Sequence, residues 1–151
     1  MLPKSHILLG FAFACVLVYF FNFSILAGLI IFLSSFLIDI DHYIVYIFKK
    51  KDFNLKNAYN YWITRSKKWR KLTLEQKYLY KITPFFFHGI EFILLLLLLF
   101  FISKTFLWIF LGVFFHMFID YVDILAKKDP LYIKASQIYI HITNKYKKEF
   151  K

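Results

Sequence analysis

Four histidines and four acidic residues stand at the ends of apolar segments, where a charged group is costly. They form four sets along the chain: His6; Asp39, Asp41 and His42; His88 and Glu91; and His116 and Asp120. An ionised carboxylate in an apolar setting must be paired or must bind a cation. Imidazole and carboxylate without thiolate suit Zn²⁺, Mn or Fe. The pattern therefore predicts a divalent-metal site, with zinc preferred and enough ligands for one or two ions.

The spacing within the sets favours shared helix faces. Pairs three or four residues apart lie on one face of a helix, as is expected for Asp39 with His42, His88 with Glu91, and His116 with Asp120. The predicted metal ligands are His6, Asp39, His42, His88, His116 and Asp120. Asp41 points elsewhere on a regular helix, so it joins the site only if the helix loosens there, or it acts behind the ligands. Asp123 is expected either to contact a metal ligand without binding the metal itself, or to lie at the membrane interface.

A bound metal ion of this kind predicts hydrolytic chemistry. It lowers the pKa of coordinated water and polarises a phosphoryl or carbonyl oxygen. Glu91 and Asp41 are the predicted catalytic residues, because neither is needed to complete a first metal site. Ser34 and Ser35 are expected to bond helix backbone, since no Ser/His/Asp elbow, His-Glu-x-x-His motif or glycine-rich phosphate loop is present in the sequence.

The elements that must position these residues are membrane helices. The 151-residue chain is 60% hydrophobic and 23% aromatic, which is typical of the membrane class. Its apolar segments cover roughly 5–21, 24–48, 84–102 and 106–125. One helix over 5–48 would be about 66 Å long, twice the bilayer core of about 30 Å, so the chain must turn at 22–24. No signal-peptide cleavage site stands out, so the first segment is expected to remain as a span.

The charge distribution predicts the orientation. The net charge of +11 is concentrated in 49–81 and 127–151, which are expected to be cytoplasmic by the positive-inside rule. Within the loop, apolar residues at helical spacing alternate with Lys and Arg, which predicts a helix on anionic lipid headgroups. That stripe is Leu55, Tyr59, Trp62, Trp69 and Leu72. No nucleic-acid partner is expected, because no binding module accompanies the basic residues.

The predicted architecture is an all-α, four-helix transmembrane bundle with a basic amphipathic cytoplasmic loop. Residues 1–125 form the membrane domain, including the loop 49–83, and 126–151 form a basic cytoplasmic tail in which His141 is a surface residue. The single cysteine, Cys15, excludes a thiolate cage. The location is the cytoplasmic membrane, with multiple spans. The sequence does not give the oligomeric state.

The topology predicts that the four sets meet. Measured from the outer turns at 22–24 and 103–105, at about 1.5 Å per residue, His6, Asp39, His88 and Asp120 all lie about 23–25 Å deep. That level is near the cytoplasmic edge of a core about 30 Å thick.

The order of motifs resembles a known family. Ser5-His6, Asp39-Ile40-Asp41-His42, His88 and Gly112-x-x-x-His116-x-x-x-Asp120 occur in that order. Over residues 4–125 the chain resembles the YdjM-like, LexA-regulated family of membrane-bound metal-dependent hydrolases. The resemblance implies a metallohydrolase without naming its substrate.

The chain departs from that family at two places. Ile38 stands where proline is common. Residues 83–89 stand where the family often has His-Arg-Gly-x-x-His-Ser, so a ligand or substrate contact is missing or is replaced by Glu91.

The expected function is hydrolysis of a membrane lipid ester or phosphoester at the cytoplasmic face. A carboxylate-bridged di-iron oxidase is one alternative, although only Asp39-x-x-His42 has the order of residues that such centres use. A divalent-cation or proton transporter is another. It requires a polar path to the outer face, where the segments are nearly free of polar residues.

Overall fold

The computed structural model describes residues 3–150, and its regular structure is helical. The α-helices are α1 (Pro3–Phe20), α2 (Ile25–Leu37), α3 (Ile40–Lys50), α4 (Leu55–Arg70), α5 (Leu74–Leu79), α6 (Ile90–Phe100), α7 (Thr105–Ala126) and α8 (Gln137–Thr143). Short 3₁₀ turns cover Leu131–Ile133 and Asn144–Tyr146. Over residues 3–150 the chain has no strand, only an isolated bridge between Tyr80 and Lys148. The all-α prediction is confirmed.

Helix α7 is the centre of a bundle with α1, α2 and α6. A Cβ atom added to Gly112 would lie 2.3 Å from the carbonyl oxygen of Ile31, so only glycine allows α7 and α2 to approach this closely. Phe13 and Phe115 stack between α1 and α7, with ring centroids 4.0 Å apart. The α6–α7 side encloses an apolar core formed by Ile38, Ile93, Leu96, Val113 and Met117.

The helix lengths support part of the four-span prediction. Two stretches, Ile25–Lys50 and Thr105–Ala126, are long and apolar enough to cross a membrane, whereas Lys4–Phe20 and Ile90–Phe100 are shorter. The predicted third segment began at residue 84, but residues 84–89 are not helical. Their backbone is held by other partners: Phe85 N–H donates to Gln137 (2.8 Å) and Phe87 N–H to Asp41 (3.2 Å).

The second predicted span is interrupted between α2 and α3. The backbone N–H groups of Asp39 and His42 donate to carbonyls three residues earlier, at 3.2 and 3.1 Å. Just before this turn, the hydroxyls of Ser34 and Ser35 bond to carbonyls of α2 three or four residues earlier, as predicted, and such bonds bend helices. The helix therefore loosens at the acidic motif.

The loop helix α4 lies against α3 and the end of the bundle. The indole N–H of Trp62 donates to the carbonyl of His42 (2.9 Å), and that of Trp69 donates to Asp129 (3.1 Å). Leu55 and Tyr59 are exposed. The predicted apolar stripe is thus divided: its tryptophans contact the protein, and its first two residues are exposed.

The C-terminal region packs against the loop instead of extending away from it. Ile140 in α8 is fully buried, and Lys77 forms a buried ion pair with Asp129 at 2.7 Å. Lys148 exchanges backbone hydrogen bonds with the segment around Tyr80. Residues 126–150 therefore cover the end of the bundle at which the acidic motif lies.

Candidate metal centre

Two histidines and two aspartates bring their side-chain atoms together at the buried end of the bundle. Nε2 of His88 lies 3.1 Å from Nε2 of His116, 3.4 Å from Oδ1 of Asp39 and 3.6 Å from Oδ2 of Asp120. Nε2 of His116 lies 3.6 Å from the same Asp39 oxygen and 3.1 Å from the same Asp120 oxygen. Both imidazoles are fully buried, and the Asp39 side chain is 23% exposed.

In each imidazole the nitrogen that faces away from the cluster, Nδ1, carries a hydrogen. Nδ1 of His116 is 2.7 Å from the carbonyl oxygen of Ser35, which can only accept, so this nitrogen carries the hydrogen. Nδ1 of His88 donates to Oδ2 of Asp41 at 2.9 Å. When both rings are neutral, their Nε2 lone pairs therefore point toward each other and toward two carboxylates. Such an arrangement is repulsive unless a cation lies among the four atoms.

The distances fit ligands that share one metal ion. With metal–ligand bonds of about 2.0–2.1 Å, adjacent ligands of a tetrahedron are about 3.3–3.4 Å apart. The five distances above span 3.1–3.6 Å. His88, His116, Asp39 and Asp120 can therefore hold a metal ion, and this part of the metal prediction is confirmed.

Asp41 reaches the site because the helix breaks before it. Its carboxylate is fully buried and accepts from Nδ1 of His88, from Nδ1 of His42 (2.9 Å) and from the backbone of Phe87. With its oxygens directed at these donors, Asp41 orients histidines. This geometry favours the predicted role of Asp41 behind the metal ligands over its predicted role as a base.

His42 and His6 flank the four-atom cluster. The His42 side chain is 28% exposed, and its ring stacks on Phe85 with centroids 4.0 Å apart. The His6 ring stacks on His116, and its Nε2 is 3.4 Å from Asp120, while its buried Nδ1 has no hydrogen-bond partner within the described chain. Two further three-ligand groups arise, Asp39–His42–His88 and His6–Asp39–His116, and both share residues with the first cluster.

The structure does not bring Glu91 into these groups. Its carboxylate accepts from the hydroxyl of Ser136 and from the backbone N–H groups of Gln137 and Ile138, each at 3.1 Å. Glu91 thereby binds the first turn of α8 and anchors the C-terminal region to α6. Asp123 likewise pairs with Lys127 on its own helix. His141 is exposed in α8, as predicted for a surface residue.

The cluster opens onto a cleft of about 960 Å³ between α4, the segment 81–85 and the C-terminal region. Asp39, His42 and Asp120 are among the residues that line it. The lining also includes three aromatic residues, Tyr59, Trp62 and Trp69. Its lining also contains six cationic side chains: Arg65, Lys67, Arg70, Lys81, Lys127 and Lys134. A cleft with this lining suits a ligand that has both an anionic and an apolar part.

Comparisons with protein-family models, with curated proteins and with solved structures each found no match. The resemblance to YdjM-like hydrolases therefore rests on the motifs alone, and the function must be argued from the residues of the cluster and the cleft.

Two participants in the site were missed in the sequence. The carbonyl of Ser35, which orients His116, is a backbone group without a sequence signature. Lys134 donates from Nζ to Asp120 although it lies 14 residues further along the chain. The available signal was Asp129-Pro130 after the end of α7, a pair that favours a turn and so returns the following residues toward the bundle.

Proposed function

We propose that this protein is a metal-dependent hydrolase that acts on an ester or phosphoester of a membrane lipid at the cytoplasmic membrane face. One observation carries the proposal: two carboxylate oxygens lie 3.1–3.6 Å from the facing Nε2 atoms of two histidines, at a cleft lined by cationic side chains. Zn²⁺ is the preferred ion because imidazole and carboxylate ligands without thiolate suit it; Mn or Fe are alternatives, and the flanking groups leave room for a second ion.

The bound ion would supply a Lewis acid and a coordinated water of lowered pKa. The chain supplies the rest. His88, His116, Asp39 and Asp120 hold the ion, while Asp41 and the Ser35 carbonyl keep the two rings in the required tautomer.

We assign proton transfer to His42, in place of Glu91. Its Nδ1–H is held by Asp41, which leaves the lone pair on Nε2, and its ring lines the cleft. A histidine held in this way by a carboxylate is a suitable general base.

The membrane assignment draws on the bundle surface. Large apolar side chains are exposed along its outer helices, among them Leu8, Phe11, Leu29, Leu94, Leu98, Phe114 and Phe118. An exposed apolar surface of this extent favours contact with lipid. We place α1 and α6 in the membrane beside the two longer stretches, because they pack against α2 and α7. The basic segments then lie on the cytoplasmic side.

The alternatives receive less support. A transporter needs polar groups across the bundle, but the buried polar and charged side chains of the described chain lie at the cluster or in the loop beside it: His6, Ser35, Asp41, Lys77, Thr83, His88, His116 and Asp120. A di-iron oxidase needs several acid–histidine pairs on the helices, and Glu91 is bound to α8 instead.

Metal depletion tests the proposal. Detergent-purified protein is treated with a chelator, then supplied with Zn²⁺, Mn²⁺ or Fe²⁺, and assayed on lipid ester and phosphoester libraries. We expect hydrolysis to disappear on depletion and to return with one of the metals. Metal-loaded protein that hydrolyses nothing would contradict the hydrolase assignment and favour transport, which cation flux into proteoliposomes would then measure.

A further inference from the structure

Lys134 places an ammonium group beside a site that already attracts a metal cation. Its Nζ donates to Oδ2 of Asp120, its side chain is only 13% exposed, and it lines the cleft together with Asp39. A lysine at this position repels a metal ion in the cluster, so its presence requires another reason.

The segment that carries Lys134 is fastened on both sides by contacts that do not involve Lys134. Before it, Asp129 is bound by Lys77 and Trp69. After it, the carbonyl of Ala135 accepts from the backbone of Ile90 at 2.9 Å, and Glu91 binds the start of α8. The ammonium is thus held at the site by the fold of the C-terminal region and not only by its attraction to Asp120.

The other lysines with ion pairs at the cleft have carboxylate partners outside the cluster. Lys127 pairs with Asp123 one turn earlier on α7, and Lys81 pairs with the exposed Glu149 at 2.7 Å. Lys134 instead shares its carboxylate with the metal-ligand set. With a metal cation bound to these ligands, the ammonium of Lys134 and the metal would both face the cleft. Two neighbouring positive charges favour an anion between them.

We propose that Lys134 is a phosphate-binding residue and that the substrate is a phosphoester. The inference rests on the proposed function and narrows its substrate class. When a metal ion binds the carboxylate of Asp120, the ammonium of Lys134 can donate to a phosphoryl oxygen of a substrate in the cleft. A carboxylic ester carries no charge at its reacting group before attack, so Lys134 would act there only on the oxyanion that forms, whereas a phosphoester is anionic from the start.

Phosphate binding to the zinc-loaded protein tests this assignment without requiring turnover. Inorganic phosphate is titrated calorimetrically into wild type, Lys134→Met, Lys134→Gln and Lys134→Arg in one detergent. We expect Met and Gln to weaken phosphate binding roughly ten- to hundredfold, as loss of a charge-assisted hydrogen bond does, and Arg to retain most of it. Lys145→Met is the matched control, an exposed lysine of the C-terminal region outside the cleft lining, and should bind phosphate as wild type does.

The opposite results are equally defined. Unchanged phosphate binding in Lys134→Met and Lys134→Gln, with tighter zinc binding, would make Lys134 an internal counter-ion of Asp120 and overturn the proposal. Zinc-loaded wild type that binds no phosphate and cleaves only carboxylic esters would overturn it while leaving the hydrolase assignment intact. Wild type that binds no zinc would instead contradict the metal centre, and the proposal with it. Lys134→Met and Lys134→Gln are both measured so that a folding defect in one of them does not decide the result.

Discussion

Nε2 of His88 lies 3.1 Å from Nε2 of His116, and in the neutral form of both rings these two nitrogens carry only lone pairs. The hydrogens are on the opposite sides of the rings, where Asp41 and the Ser35 carbonyl accept them. Two lone pairs at this distance are explained by a shared cation. The arrangement therefore links the fold to the chemistry, because three separate helices and a loop must be in place to create it.

The first prediction concerns Asp41. Asp41→Asn keeps the shape of the side chain but replaces an ionised acceptor of three hydrogen bonds with a neutral amide. Because His88 loses its orienting charge, zinc affinity should fall about 10- to 100-fold, as is typical for groups behind metal ligands. Competition titration with a chromophoric chelator measures it. Asp52→Asn removes a carboxylate that bonds Tyr46 and Asn57 away from the cluster, and it should leave the affinity unchanged. Equal affinities in both variants would show that Asp41 does not support the site.

The second prediction separates two candidate bases. His42→Gln should lower turnover by about 10²–10⁴, the usual share of general acid–base catalysis, while most bound metal is retained. Glu91→Gln is the comparison, because the structure uses that carboxylate to hold α8. It should lower the melting temperature yet keep turnover per folded molecule near wild type. Turnover, metal content and melting are measured in one detergent. Large loss of turnover in Glu91→Gln with full metal and unchanged melting would restore Glu91 as the base.

The third prediction concerns the contact between α7 and α2. Gly112→Ala places a methyl group against the Ile31 backbone, at 2.3 Å, so the helices must separate and the bond from His116 to Ser35 must stretch. We expect a loss of about 1–3 kcal/mol of stability from overpacking. Zinc affinity should also fall, by about tenfold or more. Gly28 lies two turns before Ser35 on α2. A methyl group there meets the side chain of Val18 on α1, so Gly28→Ala should cost stability without changing zinc affinity. A Gly112→Ala protein with wild-type zinc affinity would argue against backbone control of His116.

The fourth prediction is topological. Because 49–81 and 127–151 carry most of the basic residues, the loop and the C-terminal region should face the cytoplasm, and the turns at 22–24 and 103–105 the outside. Cys15 is first replaced, and single cysteines are introduced at the exposed positions Asn22, Ser103, Lys71 and Lys145. An impermeant maleimide should label the first two in intact cells and spare the last two. Labelling of Lys71→Cys or Lys145→Cys from outside would place the cluster on the opposite face.

Local patterns in the sequence were sufficient to predict the helical class and, among six predicted ligands, the four residues of the cluster. His116 and Asp120 share a helix face by spacing alone, and depths counted along the chain predicted that His88 and Asp39 would meet them. These predictions succeed because helix periodicity and rise are nearly invariant.

Features that depend on long-range contacts could not be read in the same way. Glu91 stands three residues from His88, which suggested a shared face, but the chain becomes helical only at Ile90, and α8 occupies the carboxylate. Asp41 entered the site because α2 ends before it. Lys134 entered because the C-terminal region returns to the bundle through contacts such as Lys77–Asp129, which no periodicity encodes.

Equilibrium titration of Zn²⁺ into purified, metal-free protein is the most direct test of the metal centre. Wild type should bind at least one ion tightly. His116→Ala and Asp39→Ala should each weaken binding by at least about tenfold, since each removes one of four converging ligands. His141→Ala, which removes an exposed histidine from α8, should bind as wild type does. If all three variants bind zinc with the affinity of wild type, or if wild type binds none, the cluster of His88, His116, Asp39 and Asp120 is not a metal site.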